Sequence, residues 1–172
     1  MKARRDNAEK VVFINFLCII PQVRIPVDVD DPGAMVTIEP LCPASLHGHA
    51  IFGTSIDARR HGRPYQFLYA GCIVGTSRPC NSYTGVIRVD VTDGTAVTFE
   101  DLPNLPIGMP VFVPKPGAAE DDETDGVVLL DYIGADGLAL MIVLDGRSFR
   151  EMARVTVPHR HCFSLHDTWM WE

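Results

Sequence analysis

The apolar positions of this chain fall in short, β-branched runs of four to ten residues, bounded by turn-forming residues. Val11–Ile20, Val23–Val29 and Ala34–Leu41 form a first group, separated by Pro21 and by the turn signal Asp31-Pro32-Gly33. The stretch from Leu41 to Arg63, with its prolines, glycines and histidines, reads as irregular. Tyr65–Val74, Gly85–Thr92 and Ala96–Glu100 follow, the last two joined through the hairpin signal Asp93-Gly94. A proline-rich link from Leu102 to Pro110 leads into Val111–Lys115, Val127–Ile133, Leu138–Leu144, Met152–Val157 and Phe163–Trp171. Gly134–Gly137 and Asp145-Gly146 are read as hairpin turns. Only Ser148–Arg154 suggests a helix, of one turn, with Ser148 as its N-cap. Strands at roughly ten-residue spacing predict an all-β sandwich, barrel or propeller.

Length adds a bound: 172 residues suit one domain with a real core. Residues 1–10 are polar and read as a frayed terminus, and residues 11–172 as the β domain. Lys2, Arg4 and Arg5 before Val11–Ile20 resemble a signal segment. Asp6 and Glu9 interrupt its basic part, however, and no small-residue cleavage site follows, so a buried strand is the preferred reading. The run is too short to span a bilayer. A net charge of −7 without a basic stripe argues against nucleic-acid binding. The 5 cysteines, odd in number and without a CxxC pair, favour reduced thiols in an intracellular compartment, with cytoplasm and plastid both left open.

Candidate chemistry is sparse. The acidic loop Glu120–Gly126 approaches an EF-hand pattern from Asp121, but Tyr132 stands where that loop needs its bidentate glutamate. A solvated turn is therefore expected. His47 with His49, and His159 with His161, are spaced to share a strand face and could hold a soft divalent ion; two ligands alone make a weak site. His166 sits among Phe163, Leu165, Trp169 and Trp171, where burial would require both ring nitrogens to be satisfied. Spacing leaves two readings for it, a hydrogen-bonded core histidine or a metal ligand. No GxSxG, P-loop or GxGxxG motif is present.

The segments Met109–Asp122 and Asp125–Leu130 resemble the "EPxFVPRPGAxxEDDGVLLS" run of the carotenoid cleavage oxygenases. Leu140–Pro158 is similar to the strand–turn–strand that follows in that family, and Leu165-His166-Asp167 stands where the family ends in "FHG". Upstream, Gly62–Ala70 resembles a "GxxYRYxYA" strand and Gly85–Asp90 its neighbour. The likeness spans roughly residues 23–172 and is most specific over the last sixty or so.

This resemblance implies the C-terminal blades of a seven-bladed β-propeller, all-β and incomplete in this chain. It implies Fe(2+) held by four histidines, of which His166 is the last by position. The implied activity is oxidative cleavage of a carotenoid or apocarotenoid double bond, with a retinoid isomerohydrolase as a relative. No transmembrane segment is expected, and peripheral membrane contact is left to parts of the family fold beyond this chain. The family's other ligands belong to earlier blades, so the chain alone is expected to lack activity. Met109 and Phe52 stand where the family carries supporting glutamates, and Asp167 replaces the glycine after the last ligand. These departures weaken any metal site, because such carboxylates fix the tautomer and orientation of ligand rings. They also open an alternative, a non-catalytic protein that binds an apolar apocarotenoid or serves as a scaffold.

Overall fold

The computed structural model describes residues 21–24, 37–40, 50–73, 85–100, 108–133, 136–160 and 169–170. Pro21–Arg24 (β1) and Thr37–Pro40 (β2) form an antiparallel pair. Two four-stranded antiparallel sheets follow. The first contains Ala50–Ile56 (β3), Phe67–Ile73 (β4), Gly85–Asp90 (β5) and Ala96–Phe99 (β6). The second contains Val111–Pro114 (β7), Gly126–Ile133 (β8), Leu138–Asp145 (β9) and Glu151–Arg160 (β10). In each sheet every strand pairs with its neighbour in sequence, the meander of a propeller blade.

The second sheet turns one face to the common core. Phe112 lies opposite Val128, Val128 opposite Leu144, and Leu130 opposite Ile142. This face packs on Tyr69 and Val86 of the first sheet. Tyr69 and Phe112 stack with ring centroids 5.7 Å apart and planes 5° from parallel. Val128, Leu130, Ile142 and Leu144 are fully buried, each contributing about 2 kcal/mol by removal from water. The first sheet is buried on both faces: Leu68, Ala70, Cys72, Ile87 and Val89 form a second cluster on its other side. That is why β4 and β5 read as continuous apolar runs rather than as alternating ones.

Three expectations are corrected. Residues 50–56 are a strand, not part of an irregular stretch. A register shift between Phe52 and Ser55, with Gly53 at φ 62°, breaks the period-two pattern that would have marked it. A single 3-10 turn, Ala58–Arg60, follows it. Ser148 caps no helix. Its N–H and hydroxyl both donate to Asp145 Oδ1, at 2.6 and 2.8 Å, closing the β9–β10 turn; Phe149 there takes φ 57°.

The acidic loop is the third correction, because it is not simply solvated. Glu123 is only 2% exposed, and its carboxylate accepts from Arg60 Nε at 3.0 Å and from the backbone N–H groups of Gln66 and Phe67. Tyr69 Oη donates to its carbonyl at 3.1 Å. Arg59 binds Asp57 through Nε and Nη2 and reaches the carbonyls of Ala119 and Asp122. Arg88 lies over the rings of Phe67 and Phe149 and donates to the carbonyls of Gly146 and Arg147. Polar groups thus stitch together the same two sheets that the apolar core joins. The sequence run Phe163–Trp171 falls largely outside the described residues, as do Val11–Ile20 and residues 1–10.

Candidate functional site

The first strands of the two sheets, β3 and β7, run beside one another. The Ser55 hydroxyl donates to the carbonyl of Pro110, fixing the segment just ahead of β7 against β3. Met109 is thereby laid over Gly53, with its Cγ 3.4 Å from where a Cβ on that glycine would be. Gly53 has a positive φ as well as this close neighbour, so a larger residue there would be strained and would displace the thioether.

Around Met109 open two cavities. The larger, about 350 Å³, is lined chiefly by Met109, Val111, Leu129, Leu140, Met141 and Trp169, with Asp131 as its one acidic residue. It lies against the side of the second sheet that faces away from the first. The smaller, about 310 Å³, runs from Met109, Val111 and Trp169 past Thr54, Asp57, Arg59 and His61. Both volumes fall at the lower end of the range of small-molecule sites, and a mainly apolar lining with few polar groups is their usual make-up.

Of the residues singled out by sequence, Met109 is placed at the junction of the two cavities. Phe52 lies in β3 with its backbone paired to Gly71. His61, exposed just after the 3-10 turn, lines the smaller cavity. His159 is in β10. His166, the expected iron ligand, lies outside the described residues, as do Asp167, His47, His49 and His161. Glu120–Gly126, weighed as a calcium loop, instead contributes the nearly buried Glu123 carboxylate that clasps Arg60 and the N–H groups of Gln66 and Phe67.

Among the described residues no group of three or more His, Cys, Asp or Glu side chains lies together as a metal site. The Met109 thioether carries no charge and accepts hydrogen bonds weakly, so it cannot orient an imidazole as a carboxylate does. The described residues on their own therefore do not fit an iron centre. Trp169, Leu129, Met141 and Thr54 went unremarked as cavity residues in the sequence, since the cleft is assembled from separate strands and no spacing along the chain marks it.

Residues 16–171 match the RPE65 family, described as retinal pigment epithelial membrane protein. Carotenoid cleavage dioxygenase 8 homolog B of Oryza sativa subsp. japonica is 35% identical over 151 residues, 88% of this chain and 25% of that protein. Carotenoid cleavage dioxygenase 8 of Arabidopsis thaliana is 34% identical over the same share of each. The chain thus spans about a quarter of the length of the curated relatives it matches. Among solved structures, cobalt-substituted Synechocystis ACO superposes with a TM-score of 0.70 at 23% identity, over 84% of this chain and 29% of that one. At that identity the likeness speaks for the fold, and that fold is a seven-bladed propeller of which the two sheets form a part. Sequence and fold agree: the chain belongs to the carotenoid cleavage oxygenase family that includes RPE65.

Proposed function

We propose that the chain is the C-terminal part of an Fe(2+)-dependent oxygenase fold that cleaves a double bond of a carotenoid or apocarotenoid. In this reading His166 is the last of four histidine ligands, and the 172 residues alone hold no iron and cleave no polyene. The family match over residues 16–171 carries the reading. Its two qualifications rest on the share of the relatives that the chain spans and on the thioether of Met109. The chloroplastic relatives favour a plastid location. The test is metal analysis of the purified chain after loading with ferrous iron, together with product analysis on an apocarotenal. Neither stoichiometric iron nor aldehyde product is expected; one tightly held iron per chain, or turnover, would overturn the proposal.

One observation favours a second reading. Met109 makes the junction of the two cavities apolar where a carboxylate would have made it charged, which suits a protein that binds a polyene without oxidising it. Trp169 lines both cavities, so tryptophan emission should be quenched on titration with retinol. Unchanged emission over a micromolar range counts against this reading.

A further inference from the structure

Ile56 and Tyr65 pack on the second apolar cluster, and between them no described residue joins either core. The connecting segment carries the 3-10 turn Ala58–Arg60, none of it buried, and residues 61–64 are exposed. Asp57, Ala58, Arg59 and His61 nonetheless form part of the wall of the smaller cavity, which Met109 and Val111 also line. We infer that this segment is a hinged wall, latched by Arg59, that opens while the two sheets stay folded. The inference does not depend on what the cavity holds.

The latch is a single guanidinium. Its Nε and Nη2 hold the Asp57 carboxylate at 2.9 and 2.7 Å, so the turn carries its own counter-ion. Its outward bonds run to carbonyls of the β7–β8 connection, from Nη1 to Ala119 at 3.2 Å and from Nη2 to Asp122 at 3.0 Å. Arg60 adds a second tether, to Glu123 at 3.0 Å. The Arg59 side chain is 24% exposed, so water can replace these carbonyls, and bonds of that kind contribute little net free energy. Gly62 supplies a hinge: its φ is 73° and nothing lies within 4 Å of where a Cβ would be, so the backbone can turn there without a clash. The His61 N–H on the Ala58 carbonyl and the Arg63 N–H on the Arg60 carbonyl keep the turn one unit as it swings. Opening strands no buried charge. Asp57 travels with Arg59, and Glu123 keeps the N–H groups of Gln66 and Phe67.

The test is carboxyl labelling of the full 172-residue chain with a water-soluble carbodiimide and glycine ethyl ester, read by peptide mapping. Asp57 and Glu123 are 0% and 2% exposed, so a fixed wall would protect them alike. With a hinged wall, Asp57 is expected to be modified about tenfold faster than Glu123, through openings that leave the sheets intact. Arg59→Lys keeps a cation beside Asp57 but lacks the planar fork that reaches the carboxylate and the carbonyls together. It should speed labelling of Asp57 about tenfold further, in keeping with the loss of two hydrogen bonds from a charged donor, and leave Glu123 unchanged. Equal protection of the two carboxylates in the native chain would overturn the inference, as would an Arg59→Lys protein in which Asp57 is no more reactive than before. Labelling of Asp57 and Glu123 that rises together in the variant would overturn it too, since that marks separation of the sheets rather than a swinging turn.

Discussion

Glu123 holds the backbone N–H of Gln66 between its two carboxylate oxygens, at 3.0 Å from each, although the residues lie 57 positions apart. With Arg60 Nε on one of those oxygens and the Phe67 N–H on the other, a nearly buried carboxylate closes the β3–β4 loop onto the strand entry of the second sheet. Glu123→Ala removes the acceptor and leaves Gln66 N–H, Phe67 N–H and Arg60 without it. It is expected to cost about 3 kcal/mol, read as a shift of the urea midpoint. Glu123→Gln keeps one acceptor oxygen and should cost less. A Glu123→Ala protein as stable as the native chain would show that the clasp contributes nothing net.

Tyr69 joins the sheets twice, by its stack on Phe112 and by its hydroxyl on the Glu123 carbonyl. Burial also pushes its phenol pKa well up, so the ring stays neutral. Tyr69→Phe should cost about 1 kcal/mol by loss of the hydrogen bond, whereas Tyr69→Ala should cost about 3–5 kcal/mol by opening a cavity at the interface. Equal losses from the two variants would mean that the hydroxyl, not the ring, carries the contact.

Acid should loosen the turns before it touches the core. Asp145 is held below the usual carboxylate range chiefly by the backbone N–H and hydroxyl of Ser148, and Asp122 by the same groups of Thr124. Because the folded chain favours their charged forms, the unfolded chain binds more protons in the interval between the two pKa values. The stabilisation is therefore complete above the unfolded value near 3.9 and is lost as pH falls through the folded one. Thermal midpoints measured from pH 6 down to pH 2.5 should fall most steeply below about pH 4. The fall should be shallower in Asp145→Asn, whose amide does not titrate; identical profiles would remove Asp145 from the account.

Cys72 is fully buried in the second apolar cluster, and burial pushes its thiol pKa up to about 12. Since the thiolate is the reactive form, iodoacetamide at pH 8 should leave Cys72 unlabelled in the native protein and label it in urea, as read by peptide mapping. Labelling of the native protein at this position would show that the first sheet opens readily.

The strands of the second sheet were legible in sequence because Val127–Ile133 and Leu138–Leu144 are dense in β-branched and aliphatic residues and are flanked by Gly126, Gly137 and Gly146. The Asp93-Gly94 turn was equally plain: Gly94 takes φ 71° and its N–H bonds the Asp90 carbonyl, as a hairpin there requires. Strand β3 was hidden by its bulge at Gly53, and the role of Glu123 by its distance from Gln66 along the chain. An acidic cluster reads as solvated when its partners are backbone N–H groups elsewhere, since every residue but proline carries one. The cleft was less legible still. Met109 was noted for what it replaces, while Thr54 and Trp169 acquire meaning only when β3 and β7 stand side by side.

The meander order of the two sheets has a further consequence. Among the described residues every backbone ladder closes between neighbours in sequence, so each stack of hairpins has low contact order and does not need the other in order to register its strands. Cooperativity between the stacks then falls to a small set of side chains, Tyr69, Phe112, Arg88 and Glu123 among them. Weakening that set should split one unfolding transition into two. In Glu123→Ala, amide protons of β4 and β5 should exchange with solvent while those of β8 and β9 remain protected, making the clasp the boundary between two foldons.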